Sequence, residues 1–353
     1  MNAFRQLRES GIKCSRLGLG SMNFGTTVGQ SAASELLDTA LDYDINLVDT
    51  AETYPFPPAC EHHGLSETYI GNWLRESRKR DRIVLVSKIA GPSAHLSYLR
   101  NGNLRFDASN IRASVDQSLT RLGTDYLDIA LLHWPERATN TLGQLDYKPA
   151  RKETSTARVT DAIEQALRAL NELLEEGKVR TFGLSNETPW GVMRFLHEAA
   201  RLDLRAPSTI QQRYSLLDRT LDIGMTEVLH REGLGLMTYS PLAFGLLSHA
   251  AQTAEGHGDD SRLAKTRKLH PYLSDACIQA AHQYFKVAKD NELDLAQMAI
   301  AYLLTRGYVT SVLLGVSNQA QLANNIGALD IKLDKTTIKA IDNIHHQRPN
   351  PCL

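Results

Sequence analysis

Apolar residues fall into two alternating kinds of segment along the chain. Short runs rich in Leu, Ile and Val occupy 16–22, 45–49, 82–88, 126–133, 180–185, 209–215, 234–240 and 311–316. Several are nearly continuous, as expected of parallel strands covered on both faces. Between them, apolar positions recur every three or four residues: Ile111, Val115, Leu119 and Leu122; Val159, Ile163, Ala166, Leu167, Leu170, Leu173 and Leu174; Val192, Phe195, Leu196 and Ala199. Each stripe predicts a helix with one wet face. Eight strand–helix units without a linker-like break predict an α/β fold, a closed (β/α)8 TIM barrel forming a single domain over residues 1–353. Glu9-Ser10-Gly11 between two short extended runs predicts an N-terminal hairpin over 4–17 across the barrel bottom. An extra C-terminal helix is expected over 334–346. The rival is a two-domain doubly wound fold with G-x-G-x-x-G after its first strand. Here Gly18 and Gly20 are followed by Asn23 where the third glycine belongs, a near miss that does not decide.

With 39 Lys+Arg against 40 Asp+Glu the formal net charge is -1, which argues against a nucleic-acid or membrane-surface partner. No stretch of 18 apolar residues occurs, and charges interrupt the N-terminus where a secretory leader needs an apolar run. Cys14, Cys60, Cys277 and Cys352 are scattered without a C-x-x-C pair, suggesting neither a disulfide framework nor a zinc site. A reducing, cytoplasmic setting is expected. The pairs His62-His63 and His345-His346 cannot share a helix face as i, i+4 ligands would, so no metal is expected. Oligomeric state is not set by any of these features.

Candidate chemistry lies at strand ends. The long stretches 55–65, 134–158 and 241–274 all follow strands, which in a barrel places them at the C-terminal rim. Asp49, Lys88 and His133 close three successive strands, and Tyr54 follows Asp49 by five residues. Any one of these charges could merely mark a strand surfacing into water; three in succession with a tyrosine point to one cleft. Such a quartet suits proton transfer to a carbonyl oxygen. A phenol of pKa about 10 needs a neighbouring ammonium to exchange its proton near neutrality, so Lys88 would lower the pKa of Tyr54. Asp49 would pair with Lys88, and a neutral His133 would orient the carbonyl. The set contains an acid and a polarising group but no source of hydride, which implies a nicotinamide or flavin cofactor.

The motifs Asp49-Thr50-Ala51-Glu52-Thr53-Tyr54, Gly64-Leu65-Ser66-Glu67, Val86-Ser87-Lys88, Asp125-Tyr126-Leu127-Asp128 leading to His133-Trp134-Pro135, Gly183-Leu184-Ser185-Asn186 and Tyr239-Ser240-Pro241-Leu242 follow one another in the order of the aldo-keto reductase family, which the chain resembles from about Phe4 to His345. The resemblance implies the barrel, NADP(H) with NAD(H) left open, and reversible reduction of aldehydes or ketones. It carries a catalytic tetrad onto Asp49, Tyr54, Lys88 and His133, with Tyr54 as proton donor. Nicotinamide contacts fall on Ser185, Asn186 and Gln211, with Tyr239 as the stacking ring. Pyrophosphate contacts fall on Ser240, Leu242, Gly245 and Leu246. The adenosine end falls on Gly315, Ser317, Gln321, Asn324 and Asn325, with Arg262 as a phosphate anchor. Gly20, Ser21 and Met22 match the first-strand motif.

Each position has a plainer reading. Ser185-Asn186 could cap the next helix before Pro189, Gln321, Asn324 and Asn325 could be a helix's wet face, and the basic run 262–268 could be a solvated loop. Val316-Ser317-Asn318 lacks the basic residue that many relatives place near a 2′-phosphate, and Ser248-His249 stands where relatives often have Gly-Lys. Met22, Phe56 and Trp134 would line an apolar substrate mouth beside Tyr54. Two alternatives stay open: a nucleotide-binding regulatory or accessory subunit with little turnover, and a barrel enzyme with another cofactor.

Overall fold

The computed structural model describes residues 4–140, 144–148, 155–248, 251 and 274–352. The chain opens with an antiparallel hairpin of β1 (Phe4–Gln6) and β2 (Lys13–Ser15). Eight strands then match the eight apolar runs: β3 (Leu17–Gly20), β4 (Leu47–Asp49), β5 (Val84–Ile89), β6 (Leu127–Leu132), β7 (Val179–Ser185), β8 (Thr209–Arg213), β9 (Gly235–Tyr239) and β10 (Val309–Gly315). They pair in parallel, each with the next, and β10 returns to β3 to close the barrel. A doubly wound sheet is thereby excluded.

The described helices are α1 (Gln30–Asp42), α2 (Leu65–Ser77), α3 (Ala108–Leu122), α4 (Thr156–Glu175), α5 (Pro189–Arg201), α6 (Met225–Glu232), α7 (Asp275–Asp290), α8 (Leu295–Leu304), α9 (Gln319–Ile326) and α10 (Lys335–Gln347). The expected stripes face the barrel: Ile111, Val115 and Leu122 of α3, Ile163, Leu167 and Leu170 of α4, and Val192 and Ala199 of α5 are buried. Side-chain caps start several of them. Asp107 accepts from Asn110 N, Asp294 from Gln297 N and Asp334 from Thr337 N, each satisfying a backbone donor the helix cannot, at about 1 kcal/mol apiece. The last of these begins the extra C-terminal helix.

Strand geometry decides which residues enter the barrel. Side chains alternate with period two, and the interior cluster contains Leu47 of β4, Val84 and Val86 of β5, Ile129 and Leu131 of β6, Met237 of β9 and Leu313 of β10. Their neighbours Val48, Leu85, Ala130, Leu236 and Leu314 belong instead to the layer between strands and helices. The hairpin's Leu7, Ile12 and Cys14 join the interior cluster and plug its N-terminal end. Burial pushes the Cys14 thiol up to about 12, with Asp128 adding in the same direction.

The cysteines correct one expectation. Cys277, in the first turn of α7, is disulfide-bonded to Cys352, with Cα atoms 5.3 Å apart across 75 residues of sequence. Spacing could not reveal this pair, because only the packing of the C-terminal tail against α7 brings the two together. Cys14 and Cys60 are free. Among the described residues no helix is long and apolar enough to cross a membrane, and no three His, Cys, Asp or Glu side chains converge as a metal site would require.

Candidate active site

The interior parity continues upward into the rim. Two residues beyond Leu47 stands Asp49; two beyond Val86 stands Lys88; two beyond Leu131 stands His133; two beyond Met237 stands Tyr239. The same count from Thr181 and Gly183 gives Ser185, from Thr209 gives Gln211, from Gly18 gives Gly20 and from Leu313 gives Gly315. An alternating strand therefore aims all of these into the top of the barrel. Register places them side by side: Gly20 pairs with both Asp49 and Gly315, and Ser185 pairs with Gln211.

At the centre lies Lys88, 1% exposed. Its Nζ donates to Asp49 Oδ2 at 2.6 Å, to the Thr50 carbonyl at 2.8 Å and to the Tyr54 hydroxyl at 3.3 Å. Burial holds the ammonium below its ordinary value of 10.5, and Asp49 opposes that shift. Gln211 Nε2 donates to the other Asp49 oxygen at 2.7 Å, so the carboxylate is hydrogen-bonded from two strands. Tyr54 is half-buried, and its ring meets His133 edge-on with centroids 5.9 Å apart. Burial, and secondarily Lys88, hold His133 well below its ordinary 6.5, leaving a neutral imidazole whose buried Nδ1 has no hydrogen-bond partner. The structure thus brings Asp49, Tyr54, Lys88 and His133 together.

A second set forms the adjoining wall. Asn186 takes a left-handed backbone, φ 54°, and its Nδ2 donates to the His133 carbonyl at 2.8 Å. The Tyr239 hydroxyl donates to Asn186 Oδ1 at 2.6 Å, leaving the Tyr239 ring half-exposed at the barrel mouth. The cap of α5 is Thr188, accepting from Gly191 N, so Ser185 and Asn186 are not held there by capping. Ser21 donates from Oγ to the Asp49 carbonyl at 2.9 Å. Met22 accepts from Phe56 N at 3.0 Å, which joins two of the expected mouth residues. Trp134 packs on His133 at 4.6 Å between ring centroids and donates to the Pro92 carbonyl at 3.1 Å, so its first duty is to hold the loop after β5.

The remaining expected residues sit on flanking turns. Ser240, Ala243, Phe244 and Gly245 have positive φ, and Leu242 accepts from Gly245 N at 2.9 Å while Leu246 is buried. Gly315 and Ser317 are exposed at the end of β10, where Ser317 N donates to Gln321 Oε1 at 2.9 Å. Asn324 Nδ2 donates to Asp294 at 3.2 Å and Asn325 is buried, so α9 is only partly the wet surface that its pattern allowed. Arg262 and His249 lie outside the described residues. A cavity of about 590 Å³ is lined by Phe106, Trp134, Val159 and Phe195, and another of about 260 Å³ by Asn186, Gln212, Ile223 and Tyr239. Neither is lined by Tyr54 or Lys88, so the ionisable centre stands beside these cavities rather than within them.

Several residues were not singled out by sequence. Ser66 bridges Ser21 and Thr50 at 2.6 and 3.1 Å. Glu67, fully buried, accepts from Ser87 Oγ and Arg121 Nε at 2.6 Å each, and Glu52, also fully buried, pairs with Arg100. Both glutamates lie in quoted motifs, yet a glutamate in a loop or a helix's first turn reads as solvated. Only burial distinguishes them.

Comparison with known proteins agrees with this geometry. Residues 16–346 match the model of the Aldo/keto reductase family. The chain is 38% identical to "Protein tas" of Escherichia coli (strain K12) over 97% of both chains. It is 32% identical to "Aldo-keto reductase" of Babesia bovis over 76% of this chain and 98% of the relative, and 28% identical to "Uncharacterized oxidoreductase YrpG" of Bacillus subtilis over 97% and 95%. A barrel with a buried lysine–aspartate pair under a rim tyrosine, matched along nearly its whole length, belongs to the aldo/keto reductase family and is an oxidoreductase.

Proposed function

We propose that this enzyme reduces aldehydes or ketones to alcohols with NADPH, Tyr54 giving the proton. The observation that carries the proposal is the Tyr54 hydroxyl 3.3 Å from a buried Lys88 ammonium that Asp49 anchors at 2.6 Å. The donor set suits a nicotinamide: Ser185, Asn186 and Gln211 offer hydroxyl and amide groups along one wall, Gly20 leaves space where a side chain would stand, and the Tyr239 ring is fixed by its own hydroxyl. The half-buried turn at 240–245 and the end of β10 at 315–321 would hold the phosphates and adenosine. NADP(H) is the cofactor we propose, and NAD(H) is the competitor against which its preference is measured. When bound, the reduced nicotinamide supplies the hydride.

The protein's own groups handle the proton. Tyr54 donates to the carbonyl oxygen as negative charge develops there, and the Lys88 ammonium stabilises the phenolate left behind. Asp49 and Gln211 hold Lys88 in place, so the charge need not be reorganised during the reaction. His133, neutral because buried, can hydrogen-bond the same oxygen without competing as an acid. Met22, Phe56 and Trp134 would surround the substrate's apolar body. Replacing Tyr54 with Phe is expected to reduce carbonyl turnover by about 10²–10⁴-fold while NADPH binding, followed by fluorescence, persists. Undiminished turnover in that variant would refute the assignment.

A further inference from the structure

Tyr54 and Lys88 sit on different segments, and the stretch between β4 and α2 that carries Tyr54 is not a strand. The β4–β5 ladder nevertheless continues beyond β4: Thr50 N donates to the Val86 carbonyl at 2.9 Å and Glu52 N to the Lys88 carbonyl at 3.3 Å. At the next rung the backbone has turned away, and the Glu52 side chain replaces it, Oε1 accepting from Ala90 N at 2.7 Å. Glu52 is two residues from Tyr54, and Ala90 is two residues from Lys88.

Arg100 secures that carboxylate, with Nη1 on Oε2 at 2.5 Å and Nη2 on Oε1 at 3.0 Å; the two side chains are 7% and 0% exposed. Arg100 comes from a lobe outside the main core, where Leu96, Leu99 and Leu104 cluster with Ala90 beneath Tyr98 and Trp134. Three consecutive left-handed residues, Arg100, Asn101 and Gly102, aim it inward, and its buried Nε has no partner. Buried charge, an unsatisfied donor and left-handed non-glycine backbone all cost stability, and an apolar pair would join lobe to barrel more cheaply. What an apolar pair would lack is a directed acceptor for Ala90 N.

We infer that Glu52 and Arg100 are positioning residues, setting the separation of the Tyr54 hydroxyl from Lys88 Nζ by extending the β4–β5 ladder through a side chain. The inference rests on the proposed role of Tyr54. Glu52→Ala is expected to lower kcat by about 10²-fold, the scale of a misplaced reacting group, with NADPH affinity within about twofold of the parent. Glu52→Gln, whose amide oxygen can still accept from Ala90 N, should restore most of that loss. A readout without turnover is the ultraviolet titration of Tyr54, taken as the difference from Tyr54→Phe; it should move upward in Glu52→Ala as Lys88 withdraws. If Glu52→Ala does not fold, Arg100→Met is expected to shift the titration the same way and reduce kcat by about tenfold. An unmoved titration with unchanged kcat in the folded variant overturns the inference. A parent enzyme inert toward every aldehyde tested would instead defeat the carbonyl-reductase reading, and the titration would still decide the positioning role.

Discussion

At the N-terminal end of the barrel, Leu47, Val84 and Ile129 meet Leu7 and Ile12 of the hairpin in an apolar plug; at the other end, the same three strands present Asp49, Lys88 and His133 at the same inward parity. Below, each buried aliphatic side chain stabilises the fold by about 1.5–3 kcal/mol. Above, a buried ion pair at best offsets its own desolvation, and removing one partner leaves an uncompensated charge. One geometry therefore serves two ends. The apolar end supplies the stability on which the polar end depends, and the polar end is held by hydrogen bonds from at least two strands.

Substitutions at the two ends should separate these contributions. The largest effect on activity is expected from Tyr54→Phe, whose loss of turnover should come with little change in melting temperature, because Tyr54 is only half-buried at the rim. Lys88→Met should lower both activity and stability, the latter by about 3–5 kcal/mol in urea titration, since Asp49 and Gln211 remain buried without the ammonium. Leu7→Ala, in the plug, should cost about 2–5 kcal/mol with kcat unchanged at temperatures where the variant is folded. If Leu7→Ala lowered kcat in the folded protein, the two ends would not be independent.

The smallest effect expected is a pH dependence of stability. His133 in the folded protein takes up its proton only well below 6.5, whereas in the unfolded chain it does so near that value. Between those two values the unfolded state binds more protons, so the free energy of unfolding should fall as pH drops below about 6.5. His345 shifts the same way, so the measurement is the difference between the parent and His133→Gln. Equal slopes in the two would show that His133 carries no such linkage.

Much of the site follows from counting by two along strands. INLVD, RIVLVSK and YLDIALLH each end in an ionisable residue, and the apolar residue two positions earlier (Leu47, Val86, Leu131) lies in the barrel interior, as do Val84 and Ile129 four positions earlier in the last two. The runs YPFPPACEHHGLSETYIGNWL and SNETPWGVMRFLH further resemble Tas, in keeping with the identity found over the full chain. Glu52, Glu67, Arg100 and Arg121 escaped the same count because they act from loops and helix turns, where no period says whether a charge faces water. Trp134, expected in the substrate mouth, also donates to the Pro92 carbonyl, a packing duty that no local pattern reveals.

Periodicity along the chain determined that eight strands alternate with one-faced helices, and hence that strand-end residues share one rim, because a pleated strand alternates its side chains whatever surrounds it. Only the tertiary structure decided which distant groups meet: Gln211 with Asp49 across 162 residues, Arg100 with Glu52, Cys277 with Cys352. Closure of the barrel and the paths of its loops set those distances, and a local pattern carries no information about how far a loop returns. Desolvation of Lys88 and His133 belongs to the same category, since the dielectric around a charge depends on every segment packed over it.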